Sequence, residues 1–436
     1  MTTHRYQATH VLTQDADDRW LRPGVVDVSD GRISWVGAPE EAPPHDGAVH
    51  ELDGMLLPGV VDAHAHTPMV LLRGAGEGLP VDRWLTEVMW PREARLTPDD
   101  IRVGTAFGAA QLLRGGITTS SEMYFAPEAM AEGVREAGLR CLVAPPLIVA
   151  EGLDALGTWQ EQLERMVAFA RDNRDDPLID GVIGPHAAYT VPEEPLREAG
   201  RIAAEEGLLL HLHVAEQEHE GAGILEEHGV SVPRYLERLG VLEARIVAAH
   251  GVWLTDDDIA LFAEHRVGVA HCPLSNGKHA SGIAPVVDMR AAGIPVAIAT
   301  DGPASHDRLD LFEEMRTAIR LARLRSGDAA ILGPRDALAM VTREAAAAIG
   351  RDDLGAIEAG RRADLVLVDL DPTVLSPVVE PEDLLTHLVW SGTPTLVRHV
   401  WVEGRQVVED GAVTTVDTAA LAADVTERAR RLASGA

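Results

Sequence analysis

Hydrophobic and polar positions change rhythm twice along this chain. Over the first 57 residues they alternate in short runs, "ATHVLT", "GVVDVSDGRISWVGAP" and "AVHELDGMLLP", the period-2 pattern of strands with one buried face. The turn "SDG" between two such runs predicts a hairpin. After residue 58, short apolar runs alternate with amphipathic stretches such as "EEPLREAGRIAAEEG" and "PVVDMRAAG", the signature of βα units and a parallel sheet. Eight strands are predicted, at 60–66, 118–123, 140–146, 178–187, 208–216, 245–251, 267–273 and 295–302. Eight in this rhythm predict a (β/α)8 TIM barrel, an α/β fold whose functional side chains stand at the C-terminal ends of the strands. Beyond about residue 355 the β-type segments return as "ADLVLVDL" and "TPTLVRHVWVEGRQVVEDGAV". The predicted organisation is a small β-sandwich from both termini, residues 1–58 and 356–436, around a barrel at 59–355. A last helical stretch, "TAALAADVTERARRLASG", closes the chain.

The first barrel strand raises a chemical question. In "PGVVDAHAH" an apolar run leads to His64 and His66, separated by alanine, and residues two apart in a strand project to one side. Taken alone, the motif reads either as a strand end whose histidines are satisfied by water or as two ligands of a metal.

Bulk properties narrow the field. The 436 residues, 46% hydrophobic and 25% charged, suffice for a large core and more than one domain. A net charge of −31 speaks against nucleic acid or an anionic membrane as partner. No apolar run is long enough to cross a bilayer, and "MTTHRYQATHVLTQDADD" lacks the layout of a secretory signal. Cys141 and Cys272 form neither a disulfide framework nor a cysteine metal cluster. The expectation is a soluble, reduced, cytoplasmic protein. Its single lysine is Lys278.

The histidine pattern recurs where a barrel would place function. The fourth strand ends at His186, the fifth carries His211, His213 and then Glu216, the sixth ends at His250 and the eighth at Asp301. A lone histidine on an apolar strand is more often a satisfied core residue. Five strand ends carrying histidine or carboxylate are not explained that way.

With these residues in view the chain resembles the amidohydrolase superfamily. Its aminohydrolase branch matches best, in particular the methylthioadenosine/S-adenosylhomocysteine (5′-deoxyadenosine-type) deaminases. The stretches carrying the resemblance are "LPGVVDAHAHTPMVLLRG", "LPVDRWL", "GITTSSEMYF", "GPHAAYT", "LHVAE", "AAHGVWL", "SNGKHASGIAPV", "ATDGPASHDRLDLFEEM" and "LGAIEAGRRADLVLVDL". They run in family order along almost the whole chain. The resemblance implies His64, His66, His213 and Asp301 as ligands of one divalent metal, with a position left for water. Zinc fits this donor set best, and Fe2+ or Mn2+ would tolerate it. The fourth strand lacks the lysine that bridges two metals in some relatives. His211 is placed deeper in the barrel.

The same resemblance gives Asp301 the water's proton, has His250 stabilise the developing charge, and has Glu216 protonate the ring nitrogen beside the attacked carbon. It implies substrate contacts from Asp82 (where a glutamate is usual), Trp84, His186, Glu216 and Ser305. Trp84 could equally be core at a helix start. Two departures bear on substrate. The run "APPLIVAEG" lacks the arginine that homocysteine-binding members present after the third strand, and His306 stands where asparagine is usual.

The expected activity is hydrolytic deamination of an adenine nucleoside: 5′-deoxyadenosine, methylthioadenosine, adenosine or S-adenosylhomocysteine. The lost arginine shifts the expectation away from the last. The product is the hypoxanthine analogue plus ammonia, which places the enzyme in purine metabolism. The alternatives are a deaminase or chlorohydrolase of guanine, cytosine, a pterin or a triazine, and a non-catalytic barrel scaffold. The expected partner is a small nucleoside or nucleobase. The residues set no oligomeric state, and the resemblance allows a homo-oligomer.

Overall fold

The computed structural model describes residues 3–149 and 156–434; part of the run "APPLIVAEG", residues 150–152, lies outside them. All eight predicted barrel strands are present. They are β1 (Val60–Ala65), β2 (Ile117–Met123), β3 (Arg140–Ala144), β4 (Ile179–Gly181, continued at Gly184–Pro185), β5 (Leu209–Val214), β6 (Arg245–His250), β7 (Gly268–His271) and β8 (Val296–Ile298). Hydrogen bonding divides them into two parallel sets, β1 to β4 and β5 to β8. Bridges Ile183↔Leu210 and Ala187↔His213 join β4 to β5, and Ala65↔Asp301 joins β1 to β8. Closure leaves no free sheet edge.

The seam between first and last strand is held by a buried carboxyl. Asp62 accepts from the Thr300 amide at 3.0 Å and from its hydroxyl at 2.5 Å, and burial pushes Asp62 up to about 7. Outside the seam, Ala345, Ala346 and Ala348 of the helix Arg343–Ala348 pack with Val61, Ala63 and Ala297. Small side chains on both surfaces let helix and strands approach closely. Thr97, Thr158 and Thr255 each close a capping box at the start of a helix, satisfying amides that a helix start leaves open.

Both termini supply the second layer, as the rhythm of the sequence predicts. Ala48–Pro58 pairs in parallel with Thr3–Leu12 and antiparallel with Leu365–Val368, so one hydrogen-bonded path runs through eight strands of the β-sandwich, with Trp20–Leu21 paired to its side. In the predicted hairpin, Asp30 and Gly31 adopt φ of 48° and 77°, the two left-handed residues that a tight turn with this twist requires. The terminal helix Thr418–Ser434 docks on the barrel, where Arg428 and Arg431 bind Asp100 of Pro98–Arg114 at 2.9 and 2.6 Å. Among the described residues no helix is long and apolar enough to cross a membrane.

Candidate metal centre and active site

β1, β5 and β8 bring four donor atoms to one point. His64 Nε2 and His66 Nε2 lie 3.4 and 3.3 Å from Asp301 Oδ1, and His213 Nε2 is 3.4 Å from His66 Nε2. Bonds of about 2.0–2.1 Å set tetrahedral ligand atoms about 3.3–3.4 Å apart, so these three separations suit neighbouring ligands of one ion, and the donors gather as two sets sharing His64, one with His66 and Asp301 and one with His213 and His250. His64 Nε2 is buried without a hydrogen-bond partner among the described residues, an orphan that a cation would satisfy. Three imidazoles and one carboxylate fit a divalent metal with an open position for water. His250 also faces His64 and His213 closely enough for its ring nitrogen to approach the same point.

Partners behind the rings orient them. His66 Nδ1 donates to Met123 O at 2.6 Å, His213 Nδ1 to His186 O at 2.9 Å and His250 Nδ1 to Asn276 Oδ1 at 3.0 Å. A carbonyl oxygen only accepts, so each Nδ1 carries the proton and each Nε2 keeps its lone pair for the site. His64 Nδ1 meets His211 Nε2 at 2.7 Å, and His211 Nδ1 meets Ser121 Oγ at 3.2 Å. His211 therefore lies deeper than the site, as expected, and orients a ligand from there.

Electrostatics agree with a cation site. Burial lowers His64 to about 4, and burial together with neighbouring histidines holds His213 well below the usual range. Neutral imidazoles are the form that binds metal. At Asp301 burial works against ionisation, but the adjacent His64 and His66 outweigh it and hold the carboxyl well below its ordinary value, while Asp301 in turn raises His66 against its burial. Three side-chain-bearing residues at these strand ends adopt left-handed backbone: Ala215 (φ 52°), His250 (73°) and Asp301 (58°). Such strain persists where surrounding structure over-determines it.

Glu216 stands beside this centre, with Oε2 3.8 Å from His250 Nε2. Its Oε1 accepts from Gln217 Nε2 at 3.3 Å and Ser281 Oγ at 3.5 Å. Buried Glu220 accepts the amides of Ala215 and Glu216 at 3.3 and 3.0 Å.

A pocket opens above these residues. Its wall includes His66, His213, Glu216, His250 and Asp301, together with His186, Trp84 and Ser305. Trp84 is buried and donates to Ala75 O at 3.0 Å, so it is both core and wall. His186 Nδ1 meets Thr190 Oγ1 at 2.9 Å. Ser305 Oγ lies 3.0 Å from Asp301 Oδ2 and 2.7 Å from Gly302 O, the two acceptors within reach of its single proton. His306 is buried behind the wall, 3.8 Å from Glu314.

Asp82 requires a correction. It is exposed and lines an adjoining groove instead of this pocket. It opens the short helix Val81–Trp84, whose buried side chains are Val81 and Trp84, so the helix turns Asp82 away from the pocket. From the same segment after β1, the carboxylate that does reach the pocket is Glu93, at the end of the helix Trp90–Glu93. Tyr124 Oη, just beyond β2, donates to Glu93 Oε1 at 2.8 Å, and burial pushes Glu93 upward. Glu93 carries no local signal in the sequence: it stands in "WPREARL", two residues after the Pro91 that opens its helix.

Known proteins resemble this chain in sequence and fold. The sequence profile described as "Amidohydrolase family" matches residues 55–407. The chain is 37% identical over 432 residues to a 5-methylthioadenosine/S-adenosylhomocysteine deaminase of Pelotomaculum thermopropionicum, covering 98% of each chain. It is 36% identical over 397 residues to a 5′-deoxyadenosine deaminase of Methanothermobacter thermautotrophicus, covering 91% of this chain and 92% of that one. A crystal structure of an adenosine deaminase from Xanthomonas campestris with bound zinc superposes with a TM-score of 0.94 at 34% identity, covering 99% of both chains. The atrazine chlorohydrolase of Arthrobacter aurescens superposes at 0.89 with 24% identity, covering 98% of this chain and 100% of that one, a likeness of fold alone. With its four convergent donors and a profile match over most of its length, this chain is an aminohydrolase and belongs to the amidohydrolase family.

Proposed function

We propose that this protein is a zinc-dependent deaminase of adenine nucleosides that carry a small apolar 5′ substituent, 5′-deoxyadenosine or methylthioadenosine. The observation that carries the reading is the composition of the pocket wall. Glu216, His250 and Asp301 gather at the donor cluster, Glu93 and His186 stand in the same wall, and between them lie Val81, Leu85, Trp90, Phe125, Pro146 and Ile148. No arginine or lysine lines the pocket among the described residues, and residues 145–157 contain none. A substrate carboxylate would be desolvated without a cationic partner, which disfavours S-adenosylhomocysteine. Zinc in the related adenosine deaminase structure supports the choice of metal.

His64, His66, His213 and Asp301 Oδ1 would hold the ion. A bound divalent cation supplies the Lewis acidity that makes water nucleophilic near neutral pH. Asp301, steadied at Oδ2 by Ser305, accepts the water's proton. His250 Nε2, with its tautomer set by Asn276, hydrogen-bonds the oxygen that adds to C6 of the purine. Glu216 delivers a proton to N1, which draws electrons from C6. The proton held by Asp301 passes to the amino group, the C6–N bond breaks as the C6 hydroxyl gives its proton back to Glu216, and ammonia leaves the hypoxanthine product. Glu93, with Tyr124 fixing one oxygen, keeps acceptor capacity for the ribose diol, the part first expected of Asp82.

An absorbance assay of adenine-to-hypoxanthine conversion tests this. Expected is turnover of 5′-deoxyadenosine and methylthioadenosine, slower turnover of adenosine and S-adenosylhomocysteine, and none of guanine, cytosine, a pterin or a chlorotriazine. Glu93→Gln should lower kcat/KM for the nucleosides by roughly tenfold or more. Ammonia release from no adenine nucleoside would overturn the proposal.

A further inference from the structure

The two oxygens of the Glu216 carboxyl have different surroundings. Oε2 lies on the side of the donor cluster, 3.8 Å from His250 Nε2. Oε1 is turned back into the protein, where Gln217 Nε2 donates to it at 3.3 Å and Ser281 Oγ at 3.5 Å. Gln217 Nε2 also donates to Ser281 Oγ at 2.5 Å. The serine hydroxyl accepts from the amide and has its single proton left for Oε1. Amide, hydroxyl and carboxyl thus close a triangle in which each hydrogen bond polarises the next.

Ser281 is fixed independently of this contact. It is buried, its amide donates to Asn276 O at 2.8 Å, and its carbonyl accepts from Trp253 Nε1 at 2.7 Å. Asn276 is the residue that holds His250 Nδ1. One short segment after β7, residues 276–281, therefore fastens both His250 and Glu216, which reach it from the ends of β6 and β5. Behind Glu216, the Glu220 carboxyl takes the amides of Ala215 and Glu216, so the backbone of Glu216 is held separately from its side chain.

This arrangement decides which oxygen carries the acid proton. An oxygen that accepts two hydrogen bonds has both lone pairs engaged and no room for a proton. When Glu216 is a carboxylic acid its hydrogen sits on Oε2, toward the donor cluster. Without the two donors the proton is free to take either oxygen, and the terminal torsion of a glutamate is intrinsically broad. Resting on the nucleoside reading above, we infer that Gln217 and Ser281 are positioning residues: by engaging Oε1 they confine the Glu216 proton to Oε2 and aim it at N1 of the substrate purine.

Two nucleosides separate this aim from general packing. Purine riboside has hydrogen in place of the 6-amino group. Water adds across its C6 and N1: the oxygen bonds to C6, Asp301 takes the water's proton, and Glu216 gives its own proton to N1. With no amine to expel, the adduct stays bound. 1-Deazaadenosine has carbon in place of N1 and takes no proton there.

The test uses the zinc-loaded full-length enzyme and its Ser281→Ala, Ser281→Thr and Gln217→Leu variants, with each nucleoside as competitor of 5′-deoxyadenosine turnover; zinc content and melting temperature are recorded alongside. Ser281→Ala and Gln217→Leu should each weaken inhibition by purine riboside roughly tenfold and lower kcat by a similar factor, while inhibition by 1-deazaadenosine stays at the parental value. Ser281→Thr, which keeps the hydroxyl, should recover most of the loss. Gln217 is only partly buried, so its variant carries the test if Ser281→Ala does not fold. Equal weakening of both inhibitors, or weakening of neither, overturns the assignment of Gln217 and Ser281 while the nucleoside reading stands. Failure of the parent enzyme to convert any adenine nucleoside overturns both.

Discussion

The two ends of the barrel bury charge in opposite ways. At the N-terminal end of β3, Arg140 is fully buried, and its guanidinium binds both oxygens of Asp364 at 3.1 and 3.2 Å as well as Glu403 and Pro177 O. Asp364 also accepts the Glu403 amide at 2.8 Å, and its own carbonyl receives Gly59 N at 2.7 Å. Every group there has an opposite partner within the chain, and the cluster clamps barrel to β-sandwich. At the C-terminal end, His64, His66, His213 and Asp301 aim at a point that none of them fills. The difference teaches that burial alone does not mark a site. What marks it is donors that converge without being satisfied by one another.

Breaking each end separately should give complementary failures. Asp301→Asn should lower kcat/KM on the order of 10³-fold. The metal-free variant should unfold in urea no more easily than the metal-free parent, because the convergence serves chemistry. Arg140→Met should do the reverse. Leaving Asp364 and Glu403 without their cation should cost about 3 kcal/mol of stability, measured by urea unfolding, while metal content and turnover per folded molecule stay at parental values.

Two smaller changes sharpen the contrast. His211→Phe removes the group behind His64 and should weaken metal affinity about 10- to 100-fold, read by competition with a chelator. Glu220 gives the least effect and a pH signature. Burial, reinforced by Glu216, pushes it up to about 8. With the folded value above the unfolded one, its contribution to stability is complete below the unfolded pKa and is lost as pH rises toward 8. The parent should therefore lose stability relative to Glu220→Gln across that window, followed by unfolding at stepped pH.

Most of this architecture was legible in the sequence, and the exceptions share a cause. Eight apolar runs predicted eight strands because a parallel barrel strand, buried on both faces, leaves a continuous apolar mark. β4 is the least regular: the predicted run 178–187 is broken between Gly181 and Gly184, where Gly184 lies so close to Pro145 O that a Cβ would stand 2.4 Å from it. His64, His66, His213, His250 and Asp301 could be found because strand ends in a closed barrel share one rim. Glu93 could not, because it arrives on a loop helix whose direction depends on tertiary packing of Trp84 and Trp90 and not on any local period. The pleat put His211 on the same side as His213 and deeper in the barrel, as it stands, but its pairing with His64 across the barrel depends on shear and stagger, which one sequence does not display.

The β1–β8 seam makes Asp301 N donate to His64 O at 2.9 Å, so the donor cluster straddles the point where the barrel closes. On a ribosome the three imidazoles emerge long before the carboxylate, and a nascent chain halted short of residue 301 exposes an incomplete nitrogen ligand set. Full coordination thus coincides with topological closure, and loading of the ion would report that synthesis and folding of the barrel are finished.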